Sequence, residues 1–142
     1  MNVEMRRLTL ADAAILDRVA ADVFDEAIDP ARVAAYLAEP GHLMLVALVD
    51  GEVVGQCAAV IHRHPDKPTE IYVDEVGVTP ALHRRGIAGR MLDEMLALGR
   101  ALGCEMAWVG TELDNTAARG LYQSRGPSSS DSFVMYEFDL RD

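Results

Sequence analysis

The run Val76-Gly77-Val78-Thr79-Pro80-Ala81-Leu82-His83-Arg84-Arg85-Gly86-Ile87-Ala88-Gly89-Arg90 passes from a strand-like stretch through a basic, glycine-bearing turn into an amphipathic helix. Such a turn suits a diphosphate. The first amides of a helix have no intrahelical acceptor, and the macrodipole adds partial positive charge there. Gly86 and Gly89 carry no Cβ to keep phosphate oxygens away, and Arg84 and Arg85 can add charge-assisted contacts. Taken alone, a basic loop capping an ordinary helix explains these residues equally well. A second segment, Asn115-Thr116-Ala117-Ala118-Arg119-Gly120-Leu121-Tyr122-Gln123-Ser124-Arg125-Gly126, follows the apolar strand candidate Met106-Ala107-Trp108-Val109. It has an N-cap residue at its head, small residues inside and a glycine stop.

Together the two segments resemble the Gcn5-related N-acetyltransferases. That family carries, loosely, Arg/Gln-x-x-Gly-x-Gly/Ala after a strand and Asn-x-x-Ala-x-x-Leu/Phe-Tyr, with a Gly four residues further on. Gly86 and Ala88 fill the first motif; Asn115, Ala118, Leu121, Tyr122 and Gly126 fill the second. Two positions depart from it: His83 stands in place of the Arg or Gln, and Pro127-Ser128-Ser129-Ser130 replaces the usual Phe after the last glycine. The resemblance implies acetyl-CoA as acetyl donor, held by His83, Arg84, Arg85, Gly86, Ile87 and Ala88 at its diphosphate. Backbone groups of Val76, Gly77 and Val78, with Asn115 and Ala118, would hold its pantetheine arm. It implies Glu75 as the carboxylate that takes the proton of the acceptor amine and Tyr122 as the acid for the departing thiolate. The acetyl group then passes directly, without a covalent enzyme intermediate, once amine and thioester are oriented. A non-catalytic acyl-CoA-binding module is the alternative of another class, although such a module needs neither Glu75 nor Tyr122.

Composition narrows the partners. Of 142 residues 23 are acidic and 13 basic, a net charge of −10, which speaks against nucleic acid or an anionic membrane and for a cationic ligand. The length and 50% hydrophobic content fit one domain, residues 1–142, with a core that needs no staples. No apolar run approaches the roughly 20 residues needed to span a bilayer, and the N-terminus lacks a signal pattern, so a cytoplasmic protein is expected. Cys57 and Cys104 form no CxxC pair and read as small buried residues. No metal is expected, and His62 and His64, flanking Arg63 in a polar loop, read as solvated.

The elements predicted from periodicity are a strand over 2–7, then a helix capped by Thr9 with Ile15, Val19 and Val23 on one face. Asp29-Pro30 starts a short helix through Ala38. Leu43–Val49 and Glu52–Val60 form a hairpin around Asp50-Gly51. Glu70–Val78 is the next strand, and Ile87, Met91, Met95, Leu98 and Leu102 mark the apolar stripe of the helix after it. Met106–Val109 is read as a short buried strand, Asn115–Arg125 as a helix and Phe133–Leu140 as a closing strand. By family resemblance this is the acyl-CoA N-acyltransferase fold, an α/β (α+β) architecture whose mixed, mostly antiparallel central sheet is flanked by helices. Its parallel strands, β4 (70–78) and β5 (106–109), splay apart. Gly77 marks either a bulge or a packing accommodation. Asp74 and Glu75 are adjacent, so on a regular strand only one can face the acceptor; a bulge would let both reach. The closing strand leaves homodimerisation open.

The middle of the chain further resembles the type-I aminoglycoside 3-N-acetyltransferases. The similarity lies in Asp29-Pro30-Ala31-Arg32-Val33 with Tyr36-Leu37, and in Glu70-Ile71-Tyr72-Val73-Asp74-Glu75 running on to His83-Arg84-Arg85-Gly86-Ile87-Ala88. It implies a polycationic acceptor met by Asp25, Glu26, Asp74, Glu75, Glu112 and Asp114. Other amines, such as a polyamine, an amino acid or a protein N-terminus, stay open.

Overall fold

Asp50 and Gly51 both take positive φ, 50° and 78°, the pairing that closes a two-residue hairpin with the right-handed twist of its strands. They join β2 (His42–Val49) to β3 (Glu52–His62). The computed structural model describes residues 1–141, which divide into a larger unit from Met1 to Gly110 and a smaller one from Thr111 onward.

In the larger unit five strands lie in chain order, β1 (Glu4–Arg7), β2, β3, β4 (Glu70–Val78) and β5 (Met106–Val109). All pairs are antiparallel except β4 with β5. Residues 43–48 are buried without alternation, as expected of a strand covered on both faces. One face carries Met44, Val46, Leu48, Val53 and Ala58, packed beneath Leu16, Val23, Val33, Tyr36 and Leu37. Helix α2 (Ile87–Ala101) lies against the sheet through Met91, beside Gly55, and Gly99, beside Ile71. Its buried stripe is Ile87, Met91, Leu92, Met95 and Gly99; Leu98 is only half-buried and Leu102 is exposed beyond the helix end, so the stripe turns toward Gly99 sooner than apolar spacing alone suggests.

The segment after β1 is a 3-10 helix, Leu10–Asp17, rather than the expected amphipathic α-helix. Asp12 anchors its start by accepting from the Thr9 amide (2.9 Å) and hydroxyl (3.0 Å), contacts that hold its carboxyl below the ordinary range. Val19 leaves helical geometry to bridge Val53, and the Ala20 N–H donates to the Val53 carbonyl. The chain is thereby laid across the sheet toward Asp25 and Glu26. Helix α1 (Pro30–Ala38) begins as predicted: the Asp29 carboxylate accepts from the amides of Ala31 (2.9 Å) and Arg32 (3.4 Å), with Pro30 at the first helical position. Asp29→Ala is expected to cost about 1 kcal/mol in a denaturant titration.

Two strand readings change. β5 is short but not buried: Met106 and Trp108 are exposed, because β5 ends the sheet's strand order, though Trp108 stacks on Tyr72 of β4 at 4.0 Å. In the smaller unit, α3 (Thr116–Ser124) forms as expected, with the Asn115 side chain accepting from the Ala118 amide at 3.0 Å and Gly126 at φ 66° past its end. Phe133–Leu140, however, is not a strand. Among the described residues no ladder pairs with it, and its large apolar side chains are exposed. Apolar content gives a segment the capacity to be a strand; it does not provide the partner edge that hydrogen-bonds it.

Candidate active site

The β4–β5 pairing runs from Glu70↔Met106 to Val73↔Val109 and stops, so from Asp74 onward β4 has an edge that β5 does not cover. The opposite ladder shows which groups that edge presents. The Thr79 amide donates to the Val54 carbonyl at 2.8 Å, and Gly77 stands opposite Gln56, one hydrogen-bonding pair earlier. Val76 and Val78 alternate with these residues and turn their N–H and C=O away from β3. The His83 ring nitrogen Nε2 lies 2.7 Å from the Val78 carbonyl, which is therefore engaged from within the chain, leaving Val76 as the open position. His83, whose family counterpart would reach a phosphate, here ties the turn back to the strand.

The turn itself is exposed and sharply bent. Arg84 takes φ 62° and Gly86 φ 78°, both left-handed, and no side chain caps α2. A glycine adopts that conformation without steric cost, which explains Gly86; Arg84 does so as a strained residue. Among the described residues nothing accepts a hydrogen bond from the amides of Arg84, Arg85, Gly86, Ile87 or Ala88. Five donors in sequence at a helix start form an anion cradle.

The carboxylates converge by a device that strand alternation does not provide. Ala58 pairs with Glu75 and Ala59 with Val73, so Asp74 is an extra residue, a bulge in β4. The bulge sits here and not at Gly77. Gly77 serves close approach instead: a Cβ there would strike the Val23 carbonyl, which also accepts from the Gln56 amide at 3.4 Å. Asp74 and Glu75 both bear electrostatically on Tyr36, whose phenol is pushed far up, first by burial and then by these two charges. It stays protonated and donates to the Leu43 carbonyl at 2.8 Å. Glu75 is raised above the usual carboxylate range by desolvation, then by Asp74 and Asp25; Asp74 is raised by desolvation.

Glu75 opens into a cleft of about 420 Å³ with Asp25, Glu26, Asp29, Arg32 and Tyr36, walled by apolar residues including Leu16, Phe24, Ile28, Val33 and Met44. Four carboxylates meet one guanidinium, and that one already pairs with Asp29 at 3.5 Å. Of the residues expected to meet the acceptor, the structure brings Asp25, Glu26 and Glu75 to this cleft, with Asp74 beside them. Glu112 and Asp114 lie in the second unit, where their carbonyls accept from the Asn115 and Thr116 amides. Asn115 caps the same unit's helix, which carries Ala118 and the half-buried Tyr122. Sequence reasoning gave no role to His42, which stacks on Tyr36 at 4.6 Å and draws Asp74 downward. A histidine directly after Pro40-Gly41 carries no local sign of it.

Neither cysteine is poised to react. Burial pushes the Cys57 thiol up to about 12, and Cys104 is also raised by burial.

The open β4 edge and the amide-lined helix start are what the family resemblance implies, and likeness to known proteins agrees. Residues 11–126 match the acetyltransferase (GNAT) family, and the chain belongs to it. The N-alpha-acetyltransferase RimI of Mycobacterium tuberculosis is 33% identical over 126 residues, 87% of this chain and 77% of that protein. An uncharacterized N-acetyltransferase of the same species is 29% identical over 106 residues, 75% of this chain; the matched part spans 65% of that relative's length. In fold, the chain resembles an aminoglycoside acetyltransferase from an uncultured soil metagenomic sample, solved with trehalose. The TM-score is 0.86 at 18% identity, covering 98% of this chain and 97% of that one. No helix of the described residues is long and apolar enough to cross a membrane.

Proposed function

We propose that this protein transfers the acetyl group of acetyl-CoA to a primary amine of a polycationic small molecule, an aminoglycoside being the acceptor class that fits best. The observation that carries this reading is the acidic cleft onto which Glu75 opens. A ligand with several ammonium groups gains most where carboxylates outnumber cations.

Acetyl-CoA supplies an activated acyl thioester. The amides from Arg84 to Ala88, with the Arg84 and Arg85 side chains, hold its diphosphate, and the free edge at Val76 holds the pantetheine arm; Asn115 and Ala118 are assigned to the same arm by their motif positions alone. An alkylamine arrives as ammonium, with a pKa of about 10, so it must lose a proton before it can attack. Glu75 accepts that proton, directly or through one water. The amine nitrogen then bonds to the thioester carbon as the C–S bond breaks and Tyr122, assigned by its motif position, protonates the leaving sulfur; the nitrogen sheds its second proton to water, from which the Tyr122 phenolate is reprotonated. Asp25, Glu26 and Asp74 hold the acceptor's other ammonium groups.

A second acceptor, the α-amine of a protein N-terminus, is favoured by the identity to RimI. A thiol-release assay with acetyl-CoA separates the two. Gentamicin-like compounds should turn over with a KM that climbs as salt is added, since exposed charge pairs weaken once the screening length drops below about 10 Å. Release with peptide α-amines alone would transfer the assignment to the second reading. Donor binding without release from any amine would leave only an acyl-CoA-binding module.

A further inference from the structure

At the other end of β4 from Glu75, the β3–β4 connection gathers a set of side chains that the acetyl-transfer chemistry does not use. His62 closes β3 and is the register partner of Glu70, the first residue of β4. His64 folds back over the turn, its ring centroid 4.2 Å from that of His62. Its position before Pro65 restricts it to extended backbone, which orders the return. Expected from sequence to be solvated, His64 has only 14% of its side chain exposed. Its Nε2 is buried with no hydrogen-bond partner, although Glu70 Oε1 lies 3.4 Å away.

The structure assigns His62, His64 and Glu70 as a three-ligand site for a zinc-class divalent cation, contrary to the sequence-based expectation of no metal. One ligand atom from each residue lies within 4.8 Å of the other two. Ligands about 2.0–2.1 Å from a tetrahedral zinc stand roughly 3.3 Å apart, so the His64–Glu70 edge is already near the required length. The remaining edges, none longer than 4.8 Å, close by adjustment of the His62 ring, which is exposed. Two imidazoles and a carboxylate form a donor set that zinc accepts readily and magnesium does not, and three protein ligands leave the fourth position for water. The buried Nε2 of His64 is the strongest pointer, since a buried polar atom in a native fold ordinarily has a partner. A bound ion would clip the β3–β4 loop to the strand that carries Glu75, roughly 17 Å along it at the usual rise per residue.

The full chain, stripped with chelator, should take up one zinc ion per molecule in calorimetry with ZnCl2 and none with MgCl2. Glu70→Gln and His64→Gln should each weaken zinc roughly tenfold or more, with Cys104→Ser unchanged as the thiol control. Should His64→Gln fail to fold, His62→Gln tests the same site at an exposed position. Acetyl-CoA affinity, measured separately, should be the same in all variants. Absence of zinc heat, zinc affinity unaltered by Glu70→Gln and His62→Gln, or affinity lost in Cys104→Ser would each overturn the assignment.

Discussion

Glu75→Gln is expected to cut kcat/KM for amine acetylation by roughly 10²- to 10³-fold while leaving the calorimetric affinity for acetyl-CoA within about twofold. The amide keeps the shape and polarity of the side chain and removes only its ability to hold a proton. Desolvation and the neighbouring Asp74 and Asp25 charges raise Glu75, so the acid limb of the wild-type kcat/KM profile should lie above the ordinary carboxylate range. That limb should vanish in the variant. Stability moves the other way. Because the folded-state value is raised, protonation is favoured by the fold. That stabilisation is complete below the ordinary carboxylate range and is lost as pH rises through the raised value, leaving repelling carboxylates at pH 7. Thermal unfolding of Glu75→Gln at pH 7 should therefore occur no lower than wild type, and its advantage should disappear in acid. Tyr122→Phe should also lower turnover with donor affinity retained. Wild-type activity in Glu75→Gln would remove the proton-transfer role altogether.

Local chemistry made part of this site legible. Asp29-Pro30, Asp50-Gly51 and Asn115 each specify a cap or turn through their own backbone preferences, and each forms where expected. The His83-to-Ala88 turn likewise depends on few neighbours. The bulge at Asp74 does not belong to that class. It depends on the register of β4 against β3, and nothing in the string Val73-Asp74-Glu75-Val76 says which residue is left unpaired. The same reasoning covers His64, whose burial depends on a loop closing against Glu70, and Phe133–Leu140, whose composition suits a strand that no ladder completes. Where a feature rests on one residue's conformational preference it can be read in advance. Where it rests on pairing between distant segments it cannot.

That dependence on distant segments makes Gly77 the most informative position to disturb for the fold. Gly77→Ala should destabilise the protein by about 1–3 kcal/mol, lowering Tm by several degrees. Its φ is not in the left-handed region, so backbone preference is not the cause; the added methyl meets the Val23 carbonyl, part of a buried residue's main chain that cannot rotate away. Gly55→Ala is the control: its methyl would approach the flexible end of Met91 at 3.0 Å and the Gly77 carbonyl at 3.3 Å, looser contacts than the one at Val23, so its cost should be smaller. Val23 immediately precedes Phe24, Asp25 and Glu26 of the cleft wall. Relief of the Gly77→Ala clash must therefore lift the acidic loop from the sheet and detach the Gln56 amide from its acceptor. The acceptor KM should consequently rise by more than acetyl-CoA affinity falls. Equal losses for donor and acceptor would mean that Gly77 serves the pantetheine edge alone, and that the loop bearing Asp25 and Glu26 is positioned by other contacts.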